Sequence, residues 1–249
     1  MQESLLKTKS RKNSMKIDKS KHIAISNNKM TIKKVKNRFK IIENEISQLV
    51  EDKYIFEKYK ECIEKSKNVD KQSDGLFWIE KNYQILSVIN VCKQIDERND
   101  VESLVNLLKD IKKIKSSFSL DWFLKKYPGW MRGNGENDFK QFSIKNNKKI
   151  SVKKIDEDIK KIKQAICGLR FGKKRQSVES LKKYRNKRGA HFANDNKKAI
   201  VPAKKIFDAI DLLEKITIKY NLLLNQAGMD TLLSSNIDNY INFNKVFKN

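Results

Sequence analysis

The stretch Thr31-Ile32-Lys33-Lys34-Val35-Lys36-Asn37-Arg38-Phe39-Lys40-Ile41-Ile42-Glu43-Asn44-Glu45-Ile46-Ser47-Gln48-Leu49 decides the fold. Ile32, Val35, Phe39, Ile42, Ile46 and Leu49 recur at alternating steps of three and four residues. At about 100° per residue this rhythm lines them along one face of an α-helix, whereas a strand would need strict alternation. Thr31 stands at the N-cap position, where its hydroxyl can accept from a free backbone N–H. The stripe is a seam for another helix, in the same chain or in a second copy. It is too short to argue a free coiled coil. Tyr54, Phe56, Tyr59 and Ile63 extend the helix with a shifted face.

Further helical faces follow. A second helix is expected from Asp74 to about Asp96, with Leu76, Phe77, Ile79, Tyr83, Leu86, Ile89 and Cys92 on a wide apolar face. Ile85, Val88 and Val91 make it apolar nearly all round, so it is expected at the centre of the fold. Asp100 is the expected cap of a third helix bearing Val101, Leu104, Leu107, Leu108, Ile111, Ile114 and Phe118. Ile155, Ile159, Ile162, Ile166 and Leu169 mark another. The last long helix starts at Pro202, carries Ile206, Phe207, Ile210, Leu213, Ile216, Tyr220 and Leu223, and is expected to stop at Gly228.

Only 2 prolines and 8 glycines occur in 249 residues, which favours long helices over short strands and tight turns. The expected fold is all-α, a single bundle of about five to seven helices over residues 30–249. Residues 1–29 are rich in Lys, Ser and Asn and read as a flexible basic tail. Residues 119–150 break the helical rhythm. Pro128, Gly129, Gly133 and Gly135 alternate there with Trp122, Phe123, Tyr127, Trp130, Phe139 and Phe142. The expectation is a long loop, with room for short helical or hairpin pieces, whose aromatics plug one end of the bundle. A platform for stacking bases is the sharper alternative.

The net charge of +25 suggests a polyanionic partner, but lysine makes up 47 of the 55 basic residues, as an AT-rich coding bias would also produce. Arginine is the better witness. Four of the 8 arginines, Arg170, Arg175, Arg185 and Arg188, fall within nineteen residues. The three cysteines, Cys62, Cys92 and Cys167, have neither CxxC nor Cys/His spacing, so no metal site or disulfide framework is expected and no cofactor is called for. A reducing cytoplasm fits them. No apolar run approaches the ~18 residues of a membrane span, and no secretory signal is expected.

The arginine cluster leads into Tyr184-Arg185-Asn186-Lys187-Arg188-Gly189-Ala190-His191-Phe192. Guanidinium forks onto phosphate oxygens, and imidazole exchanges a proton near neutral pH. On an ideal helix Arg185 and His191 would point about 120° apart, so convergence needs a bend at Gly189 or a second protomer. Arg185 could instead pair with a carboxylate such as Asp96 or Asp211, and His191 could cap its own helix.

Arg185-Asn186 followed by His191 resembles the motif of HEPN domains. The Tyr-Arg-Asn-Lys and Gly-Ala-His-Phe flanks are similar to the U-type abortive-infection HEPN-like proteins. So are Phe77-Trp78, Val91-Cys92-Lys93-Gln94-Ile95-Asp96 and Ser103-Leu104-Val105-Asn106-Leu107-Leu108. The resemblance covers roughly residues 40–225. It implies a helical bundle that often dimerises and, in active members, a metal-independent endoribonuclease site built from paired Arg/His motifs. Such proteins are frequent in phage-defence and toxin–antitoxin systems, and some do not cut RNA. Carried onto this chain, the resemblance implies catalytic roles for Arg185, His191 and Asn186. Arg170, Lys173, Lys174, Arg175, Lys182, Lys187 and Arg188 would hold the RNA backbone. The implied partners are RNA, a second copy and an antitoxin or other regulatory protein.

Overall fold

Thr31 caps the first helix as its sequence position predicts, its hydroxyl accepting from the Lys34 N–H at 3.3 Å. Helix α1 (Ile32–Lys65) then runs unbroken for 34 residues. The computed structural model describes residues 30–144, 147–167, 181–186 and 202–240. Within these lie α2 (Asp74–Lys93), α3 (Leu104–Lys113), α4 (Leu120–Leu124), α5 (Arg132–Phe139), α6 (Val152–Cys167), α7 (Leu181–Tyr184), α8 (Ala203–Asn225) and α9 (Ile237–Tyr240). The only extended pairing among the described residues is a single bridge between Ser119 and Lys149. The all-α bundle is thus observed, and none of the described helices is long and apolar enough to cross a membrane.

The seam of α1 is the core. Val35, Phe39, Ile42, Ile46 and Leu49 are all buried, against Ile206, Ile210, Leu213, Tyr220 and Leu223 of α8 among others. The two helices are antiparallel: Lys53 of α1 meets Asp211 near the start of α8, while Ile32 shares a cleft with Gln226 just past its end. The shifted face of α1 forms a second cluster, where Phe56 stacks on Tyr83 with centroids 3.9 Å apart.

Two buried carboxylates tie helices together. Asp110 of α3 receives Arg38 of α1 and Lys113, the latter at 2.8 Å, while Arg38 also reaches Glu102 at 2.5 Å. Asp158 of α6 accepts from Lys219 at 2.5 Å and from the Tyr220 hydroxyl at 3.1 Å, both on α8. Burial, with the Asp158 carboxylate beside it, pushes the Tyr220 hydroxyl well above its ordinary pKa.

Several sequence expectations need correction. Helix α2 is not central: Phe77, Trp78, Ile79, Leu86 and Ile89 are exposed, and only Ser87, Val88, Val91 and Cys92 are buried on it. Asp100 does not cap α3. Ser103 does, accepting from the Asn106 N–H at 3.2 Å while its hydroxyl donates to the Asp96 carbonyl at 2.6 Å. Helix α8 ends not at Gly228 but at Gln226, whose φ of 53° is left-handed. The Asn221 amide holds the turn by donating to the Ala227 carbonyl at 3.0 Å. Residues 119–150 carry the short helices α4 and α5 within the loop-rich segment, and Phe118, Phe123, Phe139 and Phe142 pack into the core as the expected plug, while Trp130 stays exposed. Leu169 and the basic tail 1–29 lie outside the described residues.

Removing one partner from a buried ion pair leaves the other charge stranded, at a cost of about 3 kcal/mol at the lower end of the usual range. Arg38→Leu is therefore expected to lower the urea midpoint strongly by leaving Asp110 with only the exposed Lys113. Arg38→Leu with Asp110→Leu should recover much of the loss. Urea titration followed by circular dichroism checks both.

Candidate functional site

The described half of the Arg/His motif sits at a cavity. Helix α7 packs between α2 and α6, with Leu181 buried in the core. It carries Lys182 outward and continues through Arg185 and Asn186 in a wider, π-type turn. Lys182, Arg185 and Asn186, with Cys92, Ile95, Asp96 and Arg98 among others, line a cavity of about 660 Å³. Two stretches singled out in the sequence, Val91–Asp96 and the start of the Arg/His motif, thus come together although about ninety residues separate them. His191, Arg170, Lys173, Lys174, Arg175, Lys187 and Arg188 lie outside the described residues.

The guanidinium of Arg185 is held by its neighbour. Its Nε and Nη2 both donate to the Asn186 side-chain oxygen, at 3.1 and 2.9 Å. That partner is neutral, so the cationic charge is oriented but not cancelled. The nearby carboxylates are engaged elsewhere. Asp96 holds Arg98, and Glu97 holds Lys109 and Lys163. The Arg98 side chain and backbone N–H, with a smaller contribution from the Arg185 charge, keep the Asp96 carboxyl below its ordinary range. Asp96 is therefore near Arg185 electrostatically, but its hydrogen-bonded partner is Arg98. Asp211 pairs with Lys53 and plays no part here. Among the described residues, Lys182 and Arg185 are the cavity's cations without a carboxylate partner.

The wall opposite α7 is wired by polar side chains whose role the sequence did not disclose. Gln94 is buried. Its amide donates to Glu45 of α1 at 3.1 Å and its oxygen accepts from the Leu104 N–H of α3 at 3.1 Å. Asn106 donates to the carbonyls of Arg98 and Val101, at 2.8 and 3.0 Å. Buried polar groups with all their partners in place fix one geometry and cost free energy if any partner is removed. The turn that carries Asp96 and Arg98 is thus held from α1, α2 and α3 together. A buried Gln followed by Ser and Asn around a helix start was the signal available in the sequence.

Cys92 faces the cavity without being a nucleophile. Burial pushes its thiol up to about 12, and the charge of Arg185 offsets this only in part. It therefore stays protonated across the physiological range. At mildly alkaline pH, iodoacetamide is expected to modify the half-buried Cys62 and Cys167 well before Cys92, with all three reacting alike after unfolding. Peptide mass spectrometry over time reads the order.

A family model described as HEPN_AbiU2, AbiU2, matches residues 32–243. No curated protein and no solved structure matches the chain. The match spans every element that builds the cavity, from α1 to α8. The chain belongs to the AbiU2 family of HEPN-like domains.

Proposed function

We propose that this chain is a metal-independent endoribonuclease of the HEPN type, acting in the cytoplasm as a phage-defence effector or toxin under the control of a regulatory protein. The observation that carries the reading is Arg185: a guanidinium oriented by Asn186, without an ion-paired carboxylate among the described residues, lining a cavity it shares with Lys182. Such a group suits the charge that builds on phosphoryl oxygens in a transition state. His191, six residues on, supplies the proton-transfer chemistry the cavity otherwise lacks.

In this mechanism the 2′-oxygen of a ribose attacks the adjacent phosphorus. One imidazole takes the proton from that 2′-hydroxyl as the new P–O bond forms. A second imidazolium gives its proton to the 5′-oxygen as the old P–O bond breaks. The products are a 2′,3′-cyclic phosphate and a 5′-hydroxyl. Arg185 and Lys182 meet the phosphoryl oxygens, and Lys187 and Arg188 hold the flanking backbone. Asn186 positions Arg185.

Two imidazoles call for two copies, since the motif contains one histidine. The outer face of α2 is where we place the contact. Trp78, Ile79, Leu86 and Ile89 fall within a sector of about 100° on this helix, and all four are exposed. Ile89 also lines the cavity, so the apolar face is continuous with the site. An exposed apolar face of this kind, interrupted here only by Asn82, suits an association surface. Pairing two copies across α2 would set their cavities side by side.

Purified protein is expected to cut labelled single-stranded RNA in EDTA, leaving cyclic phosphate ends. Arg185→Ala and His191→Ala should each lose at least about a hundredfold in rate, the usual scale for such groups. Cleavage that survives both substitutions, or that needs added metal, would overturn the assignment. Intact RNA with salt-sensitive binding by the folded dimer would make the domain a binding module instead. Trp78→Glu with Leu86→Glu is expected to yield a helical monomer that no longer cuts. Sedimentation and the same gel assay report on both properties.

A further inference from the structure

A second basic cleft lies where the antiparallel α1 and α8 bring the first turn of one beside the end of the other, with α4 closing the side. Its volume is about 460 Å³. Lys33, Lys36, Lys125 and Lys126 line it, with Trp122 and Gln226. None of the four lysines has a carboxylate within ion-pair distance among the described residues, whereas Lys53, Lys58, Lys60 and Lys65, further along α1, are all paired. Their mutual repulsion is felt. Burial and then the charge of Lys126 hold the Lys36 ammonium below its ordinary pKa. A cluster of cations that repel one another, with no internal counter-charge, is stabilised by an external anion.

Two further features of the cleft are independent of its charge. Gln226 is the one non-glycine residue at positive φ among the described residues, and its side-chain oxygen is buried without a hydrogen-bond partner. The left-handed backbone is an ordinary helix stop, but an orphaned buried acceptor carries a cost that functional sites tolerate. Trp122 is fixed by an edge-to-face contact with Phe118, centroids 5.2 Å apart, so its indole is a rigid wall. Lysines for phosphate oxygens and an aromatic ring for a base are the two chemistries of sequence-tolerant single-strand recognition.

We propose that this cleft is a nucleic-acid site separate from the Arg185 cavity, one that holds the phosphate backbone of a single strand with a base against Trp122. It does not depend on cleavage. A strand held here is anchored to the same long helix whose middle, through Glu45, braces Gln94 in the cavity wall.

The test measures binding in the Arg185→Ala background, so that its failure is distinct from failure of the ribonuclease reading. Fluorescence anisotropy with a short labelled single-stranded RNA is recorded across a salt series. Lys36→Gln with Lys126→Gln is expected to weaken binding by about tenfold at physiological salt and to flatten the salt dependence by about 1.4 in log Kd per log salt, at about 0.7 for each phosphate no longer neutralised. Lys67→Gln with Lys81→Gln removes the same charge elsewhere and should change Kd less than about twofold under the same counterion arithmetic. Lys36→Arg with Lys126→Arg should retain binding, and circular dichroism confirms folding in every variant. Trp122→Leu should weaken RNA more than inorganic polyphosphate. Displacement of the strand by ATP would identify a free nucleotide as an alternative source of the phosphate. Equal losses in both glutamine pairs, or no loss in either, would overturn the proposal.

Discussion

The antiparallel packing of α1 against α8 is the constraint from which the rest of the molecule follows. At about 1.5 Å per residue, α1 is a rod of about 50 Å, and both hydrophobic clusters lie along it. Its buried positions keep the same three-and-four rhythm before the face rotates toward Phe56, Tyr59 and Ile63. That rotation is geometric: an ideal helix drifts by about 20° per heptad, so a straight helix cannot keep one seam indefinitely. The chain uses the drift by giving the far end its own aromatic cluster with Tyr83 and Phe207. Helices α2, α3 and α8 dock directly on this rod, and α6 and α7 pack on those in turn.

The turn between α2 and α3 shows a second kind of constraint. Apolar packing alone leaves a turn free to slide, because dispersion contacts are non-directional. Gln94, Ser103 and Asn106 replace that freedom with directed hydrogen bonds to Glu45, Asp96, Arg98, Val101 and Leu104. Each of these polar groups is buried or nearly so, which makes an alternative arrangement with broken bonds unfavourable. The wall facing Arg185 is thereby pre-set by the fold itself, the kind of fixed orientation that the proposed chemistry would draw on.

Sequence reading recovered what depends on periodicity and failed where geometry in three dimensions decides. The seam of α1 and the faces of α6 and α8 were legible because burial imposes a period. Helix α2 was misread for a physical reason: an all-round apolar helix looks the same in sequence whether or not the rest of the chain covers it. Asp100 and Ser103 are both good caps, and only the hydroxyl's bond to the Asp96 carbonyl distinguishes them. Gly228 is the better left-handed residue, yet Gln226 takes the conformation because the helix ends there. Of the site, the residue types were legible and their meeting was not. Arg185 and the Cys92–Arg98 wall are distant in sequence, and nothing short of the bundle's topology joins them.

Charge carries the final step. A net charge of +25 spread over 55 basic residues distinguishes no part of this surface from another. Pairing does. Most lysines along the lower half of α1 and on the Glu97 turn are neutralised by carboxylates at ion-pair distance, and paired surface charges contribute little to either stability or recognition. Lys182 and Arg185 at one cavity, and four lysines at the other cleft, are left without such partners among the described residues. Charges without an ion-pair partner keep more of their field, and on the readings proposed above that field is what would draw and orient a phosphate backbone. In a uniformly lysine-rich chain, cations without an ion-pair partner that gather at a concave place are a sharper guide to function than the abundance of lysine everywhere.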